Sequence, residues 1–179
     1  MLDKSVDALR RLDALYGNRI TTFYSTRAAV REQVLAADLV IGGVLIPGAA
    51  APKLITADMV RQMKAGAVLV DVAIDQGGCA ETSRATTHAE PTYVVDDVVH
   101  YCVANMPGAV ARTSTLALNN ATLPFVVALA QKGTHRALQD DAHLLNGLNV
   151  ARGVITCGSV AEAHGLPFQS AAGVLEHLS

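Results

Sequence analysis

The sequence contains no tryptophan, and aromatic residues make up only 4% of its 179 residues. It also lacks an excess of basic residues: 14 lysines and arginines stand against 16 acids, so the net charge of -2 offers no electrostatic footprint for nucleic acid. No uninterrupted apolar run reaches the roughly 18 residues of a membrane span, and the N-terminus shows no charged-then-apolar signal pattern. We therefore expect neither nucleic acid nor a membrane as a partner.

Cysteine is scarce as well, and the three that occur, Cys79, Cys102 and Cys157, lie far apart without C-x-x-C pairing. An odd, dispersed set of this kind is typical of free thiols in a reducing cytoplasm, and not of a disulfide framework or a zinc site. The six histidines are also scattered, and each is interpreted as a surface or packing residue. The sequence therefore predicts a cytoplasmic protein that holds no metal.

The sequence is rich in aliphatic residues: hydrophobic residues make up 51% of it, and the mean hydropathy is +0.31. Alanine, valine and leucine dominate, which suits helices packed on a sheet; apolar surface meant for partner subunits would explain the same numbers. The length fits one domain, or one domain with an appended piece of another.

Strand and helix patterns alternate along the first part of the chain, which is typical of an α/β protein with a parallel sheet. A loop marked by Gly42, Gly43, Pro47, Gly48 and Pro52 follows one of the strands. The pattern predicts helices at 4–16, 26–36 and 56–63, and strands at 1–3, 20–24, 38–42, 68–73, 93–95 and 99–103.

The stretch VLVDVAIDQGGC, residues 68–79, combines a short apolar strand with a polar turn. In open α/β sheets, ligands bind beyond the carboxyl ends of the strands, so Asp75, placed just past this strand, is a candidate for substrate contact. A turn-forming residue that caps the following loop would also account for Asp75.

A long apolar helix without any acidic residue is predicted from Thr113 to Gln131, with a kink near Pro124. Shorter helices are predicted at 135–143 and 172–178. Because strand and loop alternation gives way to helices near Arg112, the sequence predicts two domains, at 1–111 and 112–179.

Asp3 stands at the end of the first apolar segment and directly before a helix. An acid at the end of the second strand of a dinucleotide-binding unit can accept hydrogen bonds from ribose hydroxyls, although an acid before a helix can also be a simple N-cap. The glycine-rich phosphate loop of such a unit would precede this acid, and the sequence contains none there.

Three long motifs carry a family resemblance: DLVIGGVLIPGAAAP at 38–52, VLVDVAIDQGGC at 68–79, and HYCVANMPGAVARTST at 100–115. Together they resemble the L-alanine dehydrogenases, which form one family with the transhydrogenase α subunits. The resemblance covers nearly the whole chain and loosens after about Gly133. It implies a Rossmann-type doubly wound parallel sheet lacking its first strand, followed by C-terminal helices that belong to the substrate domain.

The resemblance also implies NAD as the cofactor and assigns residues to it. Asp75 would be the catalytic acid and would also border the nicotinamide. The other residues that the resemblance places at the cofactor are Asp3 at the adenosine ribose, Ser25 beside the adenine, Val44 and Leu45 above the cofactor, Val72, Ala73 and Ile74 beside the nicotinamide, Arg84 nearby, and Val103, Ala104, Asn105 and Met106 closing against the ring.

The implied function is that of the C-terminal portion of an NAD-dependent L-alanine dehydrogenase, which converts L-alanine, NAD and water into pyruvate, ammonium and NADH. The N-terminal substrate domain would supply the catalytic histidine, so we expect this portion to be inactive alone. The expected partners are the small-molecule substrate, further copies in a homo-oligomer, and a separate N-terminal half. A non-catalytic nucleotide-binding module and a transhydrogenase α-subunit-like component remain alternatives.

Overall fold

The computed structural model describes residues 1–46 and 50–177. The predicted loop residues Pro47 and Gly48, and the predicted helix end at Leu178, lie outside the described residues. The chain divides into two compact units. The first comprises residues 1–45 and 50–106, and the second comprises Ile46 and the described residues from 107 onward. The division therefore falls a few residues before Arg112, where the sequence predicts the domain boundary.

The first unit alternates strands and helices, as the sequence predicts for an α/β fold. Short 3-10 turns at Gly17–Arg19 and Val72–Gln76 interrupt the regular elements. The elements in chain order are β1 (Leu2–Asp3), α1 (Val6–Tyr16), β2 (Phe23–Tyr24), α2 (Arg27–Ala36), β3 (Leu39–Gly42), α3 (Ala57–Gln62), β4 (Val68–Asp71), β5 (Thr92–Val95) and β6 (Val98–Tyr101).

The strands of the first unit form two sheets. Strands β1 and β2 pair in parallel as a two-stranded sheet. The larger sheet has the order β3-β4-β6-β5, in which β3, β4 and β6 are parallel and β5 is antiparallel to β6. Strand β3 lies at the edge of this sheet. The predicted parallel sheet is thus confirmed, with one antiparallel strand at its other edge.

Hydroxyl side chains begin the three α-helices of this unit. The side chains of Ser5, Thr26 and Thr56 each accept a hydrogen bond from a backbone N–H in the first helical turn, and so satisfy a donor that has no partner within the helix. Helix α1 begins two residues later than expected for this reason. Asp3 is not its N-cap, because the cap is Ser5, whose own N–H donates to Asp3 Oδ1 over 2.7 Å.

The predicted strand from residue 68 to residue 73 is two residues too long. It ends at Asp71 because this side chain turns back and accepts a hydrogen bond from the N–H of Ala73 over 3.1 Å, which starts the 3-10 turn. The core of the unit lies between the sheet and helices α2 and α3. Its buried members are Val30, Val34, Ile55, Val60, Met63, Ala67, Leu69, Ala80 and Val98.

The second unit is largely helical and follows a 3-10 turn at Met106–Val110. Its main helix, α4, continues through Pro124 and has no buried residue. The elements are α4 (Ala111–Lys132), α5 (Thr134–Asp140), α6 (Ala142–Asn146), a small antiparallel pair β7 (Val150–Ala151) and β8 (Val154–Ile155), α7 (Gly158–His164) and α8 (Ala171–Leu175).

The helical stretch Met106–Lys132 is long and apolar enough to cross a membrane when judged by length and composition, with a mean hydropathy of 1.2. One such helix is weak evidence, because core helices of soluble proteins pass the same test. The large apolar side chains that it exposes are Val110, Leu116, Leu118, Leu123, Phe125, Val126 and Val127.

Candidate functional site

A cavity of about 370 Å³ opens where β3 and β4 end, between the loop that follows β3 and the 3-10 turn that follows β4. The carboxyl ends of neighbouring parallel strands are the usual ligand-binding edge of such a sheet. The walls are mostly aliphatic, with one acid and one amide among them. The lining residues are Gly43, Val44, Leu45, Val72, Ala73, Asp75 and Gln76.

The two polar side chains of this cavity are not engaged by the protein itself. Asp75 is exposed, and its carboxylate has no hydrogen-bond or ion-pair partner in the described part of the chain. The side-chain oxygen Oε1 of Gln76 is buried, and it too has no partner there. A buried acceptor without a donor costs about 1–3 kcal/mol. Such an atom beside a cavity is a candidate acceptor for an N–H or O–H group of a ligand or a water molecule.

Asp71 anchors the turn that carries these side chains, although its fractional exposure is 0%. Its Oδ2 accepts hydrogen bonds from the N–H groups of Cys79 (2.8 Å) and Ala80 (3.3 Å) and from Ser83 Oγ (2.5 Å), and its Oδ1 accepts from Ala73. A buried carboxylate is stabilised when all its lone pairs find donors. Asp71 therefore fixes both ends of the segment that contains Asp75.

The segment after the cavity loop runs alongside the same turn. The N–H of Ala51 donates to Gln76 O (2.8 Å), and the N–H groups of Leu54 and Ile55 donate to Cys79 O (2.8 and 3.1 Å). These bonds join the two loops that border the cavity. Sequence reasoning selected neither Asp71 nor Gln76; an acid inside an apolar strand could have signalled Asp71, because acids are rarely buried without partners.

Several predicted cofactor residues come together at this cavity and others do not. Val44, Leu45, Val72, Ala73 and Asp75 line it. Ile74 belongs to the same turn but is buried, with 7% exposure, and lies outside the lining.

Arg84, another predicted cofactor residue, is engaged elsewhere in the first unit. Its guanidinium carbon lies 3.9 Å from the ring centroid of Tyr93, and the backbone N–H of Arg84 donates to the hydroxyl of that tyrosine. Tyr93 in turn stacks on the buried ring of His100, with 5.0 Å between centroids. His100 is thus a packing residue, held through its ring nitrogens by Val98 O and Thr82 Oγ1.

The predicted residues after β6 differ among themselves in burial. Val103 is fully buried and forms a bridge with Thr86, whereas Ala104 and Asn105 are exposed. Asn105 has a φ of 63°, in the left-handed region that asparagine tolerates better than most residues, and its carbonyl oxygen lies 3.0 Å from His88 Nε2. Met106 begins the 3-10 turn that leads out of the unit.

Asp3 and Ser25 lie side by side at the carboxyl ends of β1 and β2, because the N–H of Ser25 donates to Asp3 O over 2.9 Å. The contact of this pair with a ribose and an adenine stays a prediction. Neither residue belongs to the lining of the cavity described above.

A second cavity, of about 310 Å³, lies in the helical unit. The buried side-chain atom without a partner that the described residues contain is in the first unit, and no group of three or more potential metal ligands occurs among residues 1–46 and 50–177. We therefore place the candidate site at the first cavity. The second is lined by Leu138, Gln139, Ala142, Leu145, Ala172, Leu175 and Glu176.

Alkaline conditions are expected to destabilise the first unit. Burial raises the pKa of the Cys79 thiol from 9.0 to about 12, and the nearby Asp71 carboxylate adds to this rise. Burial likewise raises the pKa of Tyr93 from 10.0 to about 12, with a contribution from the adjacent Cys102 thiol. The folded state therefore keeps protons that the unfolded chain releases, so the stabilisation is complete below pH 9 and is lost as the pH rises from 9 to about 12.

Urea denaturation followed by far-UV circular dichroism measures this effect, with an expected slope of up to about 1.4 kcal/mol per pH unit from the buried Cys79 and a smaller slope from the partly exposed Tyr93. Cys79→Ala removes the first of the two groups and should flatten the decline just above pH 9. Cys157→Ala, at a partly exposed cysteine, is the control and should leave the profile unchanged. Equal profiles for Cys79→Ala and the parent chain would contradict the assignment.

Comparison with known proteins gives consistent results. The family model of the alanine dehydrogenase/PNT C-terminal domain matches residues 1–158. The alanine dehydrogenase of Halomonas elongata is 65% identical over 175 residues, which cover 98% of this chain and 47% of the relative. That of Mycolicibacterium smegmatis is 54% identical over the same shares. The chain thus spans about half the length of the curated relatives it matches.

Solved structures show the same relationship. An L-alanine dehydrogenase structure superposes with a TM-score of 0.79 and 49% identity, covering 92% of this chain and 45% of the other. A transhydrogenase from Sinorhizobium meliloti superposes with a TM-score of 0.55 and 30% identity, covering 64% and 32%. The fold is the mixed α/β, Rossmann-like fold of alanine dehydrogenase, and the resemblance of the three motifs is confirmed. The chain belongs to the alanine dehydrogenase/PNT C-terminal domain family.

Proposed function

We propose that this chain provides the NAD-binding portion of an L-alanine dehydrogenase, in which L-alanine, NAD and water yield pyruvate, ammonium and NADH. The observation that carries the proposal is the cavity at the carboxyl ends of β3 and β4, which combines aliphatic walls with the unpaired Asp75 carboxylate and the unpaired Gln76 oxygen. The names of its relatives supply the reaction.

The residues of the cavity fit a nicotinamide group. A flat ring that carries a carboxamide needs apolar walls and an acceptor for its amide N–H, and the buried Gln76 Oε1 is an acceptor that lacks a donor. Val44 and Leu45 on one side, and Val72 and Ala73 on the other, would hold the ring. When bound, NAD accepts the hydride that leaves the α-carbon of the amino acid.

Asp75 would contribute the reacting carboxylate. Because no protein group in the described residues binds the Asp75 carboxylate, this carboxylate can accept a hydrogen bond from the amino group of alanine, or from the water that adds to the imine. Either contact would orient the substrate and hold a proton at the carboxylate oxygen.

Further cofactor contacts follow from the remaining assignments. Asp3 and Ser25, side by side at the ends of β1 and β2, would take the ribose and the adenine, and Asp3 Oδ2 has no partner among the described residues. Ile74 would support the turn from within, and Arg84 would border the site beside Tyr93. The loop residues Val103, Ala104, Asn105 and Met106 would close against the nicotinamide.

A strand from outside this chain would complete the sheet. In the strand order 3-2-1-4-5-6, the first strand pairs with the second on one side and the fourth on the other. The division into a β1-β2 sheet and a separate sheet with β3 at its edge supports this proposal.

The helical unit would belong to the substrate domain, with a domain boundary near Arg112, and to the subunit interface of a cytoplasmic homo-oligomer. Helix α4 supports the interface, because it exposes large apolar side chains along most of its length and contains no acid. Apolar patches of this kind are typical of protein–protein contacts.

Reconstitution tests the proposed function. We expect the chain alone to bind NADH and to give no alanine-dependent reduction of NAD, and we expect activity once it is mixed with the N-terminal half of an alanine dehydrogenase. Calorimetry measures the first, and NADH absorbance measures the second. Binding without turnover in any mixture would favour a non-catalytic nucleotide-binding module instead. Alanine-independent hydride exchange between nucleotides would favour a transhydrogenase-like component.

Asp75→Asn is the matched variant for this assay. The substitution preserves shape and removes the charge of a side chain that has no protein partner in the described residues, so folding and NADH binding should persist while turnover falls about 100-fold or more. Asp96→Asn, at an exposed turn away from the cavity, serves as the control. An Asp75→Asn enzyme as active as the control would exclude the proposed role.

A further inference from the structure

Lys53 lies on the segment that follows the cavity loop, and its ammonium group binds the backbone of the turn that follows β4. Lys53 Nζ donates hydrogen bonds to the carbonyl oxygens of Gly77 (2.5 Å), Gly78 (2.9 Å) and Ala80 (3.1 Å). An ammonium group has three N–H donors, so all of them are used. The side chain is thus committed to one segment of backbone although the residue is exposed.

The three carbonyl groups converge because of two successive glycines. Gly77 and Gly78 have φ values of 87° and 76°, which other residues rarely adopt, and this conformation reverses the chain directly after Gln76. Carbonyl oxygens that converge in this way repel one another electrostatically. A positive charge placed among them removes that repulsion, and charge-assisted hydrogen bonds are about twice as strong as neutral ones.

Asp71 also holds this short segment, because its carboxylate accepts hydrogen bonds from the N–H groups of Cys79 and Ala80. Asp71 therefore binds two N–H groups of the segment, while Lys53 binds three of its carbonyl groups. Gln76 and Asp75 immediately precede this segment, and the turn that they occupy closes on it through the bond from Gly78 N–H to Ala73 O (3.0 Å).

We propose that Lys53 is a positioning residue, which fixes the orientation of Asp75 and Gln76 in the cavity by holding the carbonyl groups of Gly77, Gly78 and Ala80. The inference rests on the proposed function in one respect, the assignment of Asp75 as the reacting carboxylate. Lys53 also links the segment that follows the cavity loop to the turn that follows β4, since it lies on the first and binds the second.

Peptide-resolved alkylation of the three cysteines tests local fixation without any ligand. Cys79, within the held segment, and Cys102, at the end of β6, are both buried, whereas Cys157 is partly exposed. In Lys53→Met, which keeps the length of the side chain and removes its charge, we expect Cys79 to react about tenfold faster than in the parent chain, equivalent to about 1.4 kcal/mol of lost protection.

Cys102 distinguishes local release from unfolding of the whole unit. It should keep its parent rate in Lys53→Met, because opening of the 77–80 segment leaves β6 in place. Lys64→Met is the matched control: its Nζ binds the exposed carboxylate of Asp38 over 2.7 Å, and exposed pairs contribute little. Lys53→Arg should give an intermediate rate, since its planar fork can reach two of the carbonyls but not satisfy all three from one atom.

Equal reactivity of Cys79 in Lys53→Met and the parent chain, or a parallel rise at Cys102, would overturn the proposal. A titration with NADH gives the functional readout: we expect Lys53→Met to bind about tenfold more weakly than Lys64→Met. If Lys53→Met binds as tightly as the control, Lys53 does not position the site. If the parent chain binds no NADH, the proposed function fails, and the alkylation rates alone decide the role of Lys53.

Discussion

The variant Asp71→Asn is expected to lower the free energy of unfolding of the first unit by about 3 kcal/mol. The carboxylate is fully buried and accepts four hydrogen bonds, from Ala73, Cys79, Ala80 and Ser83. Asparagine has the same shape, but its NH2 group would replace one of the two oxygens and would meet the donors that this oxygen now binds. At least one buried N–H would lose its acceptor, and the turn that carries Asp75 would lose an anchor.

The tyrosines provide a measurement confined to the affected unit. All four, Tyr16, Tyr24, Tyr93 and Tyr101, lie in the first unit, and the chain contains no tryptophan, so tyrosine fluorescence during urea denaturation reports on that unit alone. Asp38→Asn is the matched control, because it removes an acid whose side chain is 87% exposed and should cost less than about 1 kcal/mol. Coincident denaturation curves for the two variants would show that the hydrogen bonds of Asp71 contribute nothing net to stability.

The alternation of strands and helices could be predicted because local signals and tertiary structure agree there. Thr26 and Thr56 are N-cap residues by their chemistry, and both cap helices in the structure. Strand β3 could be predicted from its apolar run alone. The position of Asp3 shows the limit of this reasoning: Ser5, two residues later, offers a better cap, and the choice between two neighbouring cap residues depends on the pairing of β1 with β2.

The end of β4 could not be predicted from the apolar run, since Val72 and Ala73 continue the pattern of a strand. What ends the strand is a contact made by Asp71 with residues up to twelve positions later, at Ser83. Periodicity contains no information about such a contact. The acid itself was the available clue, because a charged residue among buried aliphatic ones requires partners.

The cavity was predictable in outline from the rule that ligands bind where parallel strands end, and Val44, Leu45 and Asp75 were placed there by the family resemblance. The polar groups of the cavity could not be predicted in this way. Gln76 is an ordinary turn residue in the sequence, and only the structure shows that its oxygen is buried without a partner. Lys53 gave no signal at all, since a lysine in a loop is usually solvated.

The variant Gly42→Ala, in the last residue of β3, is expected to lower the free energy of unfolding by about 2 kcal/mol, because of one specific contact. A Cβ atom at this position would lie 2.1 Å from Cys79 Sγ, a distance that requires the backbone or the buried thiol to move. Cys79 is 1% exposed and is bound through its N–H to Asp71, so it cannot simply turn away. The strain should therefore reach the segment that supports the site.

A double-mutant cycle isolates that contact. Cys79→Ala removes the sulfur atom and leaves a Cβ 3.8 Å from the new methyl group, an ordinary contact, so the double variant Gly42→Ala, Cys79→Ala should be more stable than the sum of its parts by about 1 kcal/mol or more. Gly43→Ala is the control, because nothing lies within 4 Å of its added Cβ, and it should change stability by less than about 1 kcal/mol. Additive losses in the cycle would mean that Gly42 is required for a reason other than the approach of Cys79. The two glycines differ in position, because Gly43 lines the cavity and Gly42 does not. Gly42 allows β3 to pack against the turn that Asp71 anchors, whereas a glycine at position 43 leaves room in the cavity.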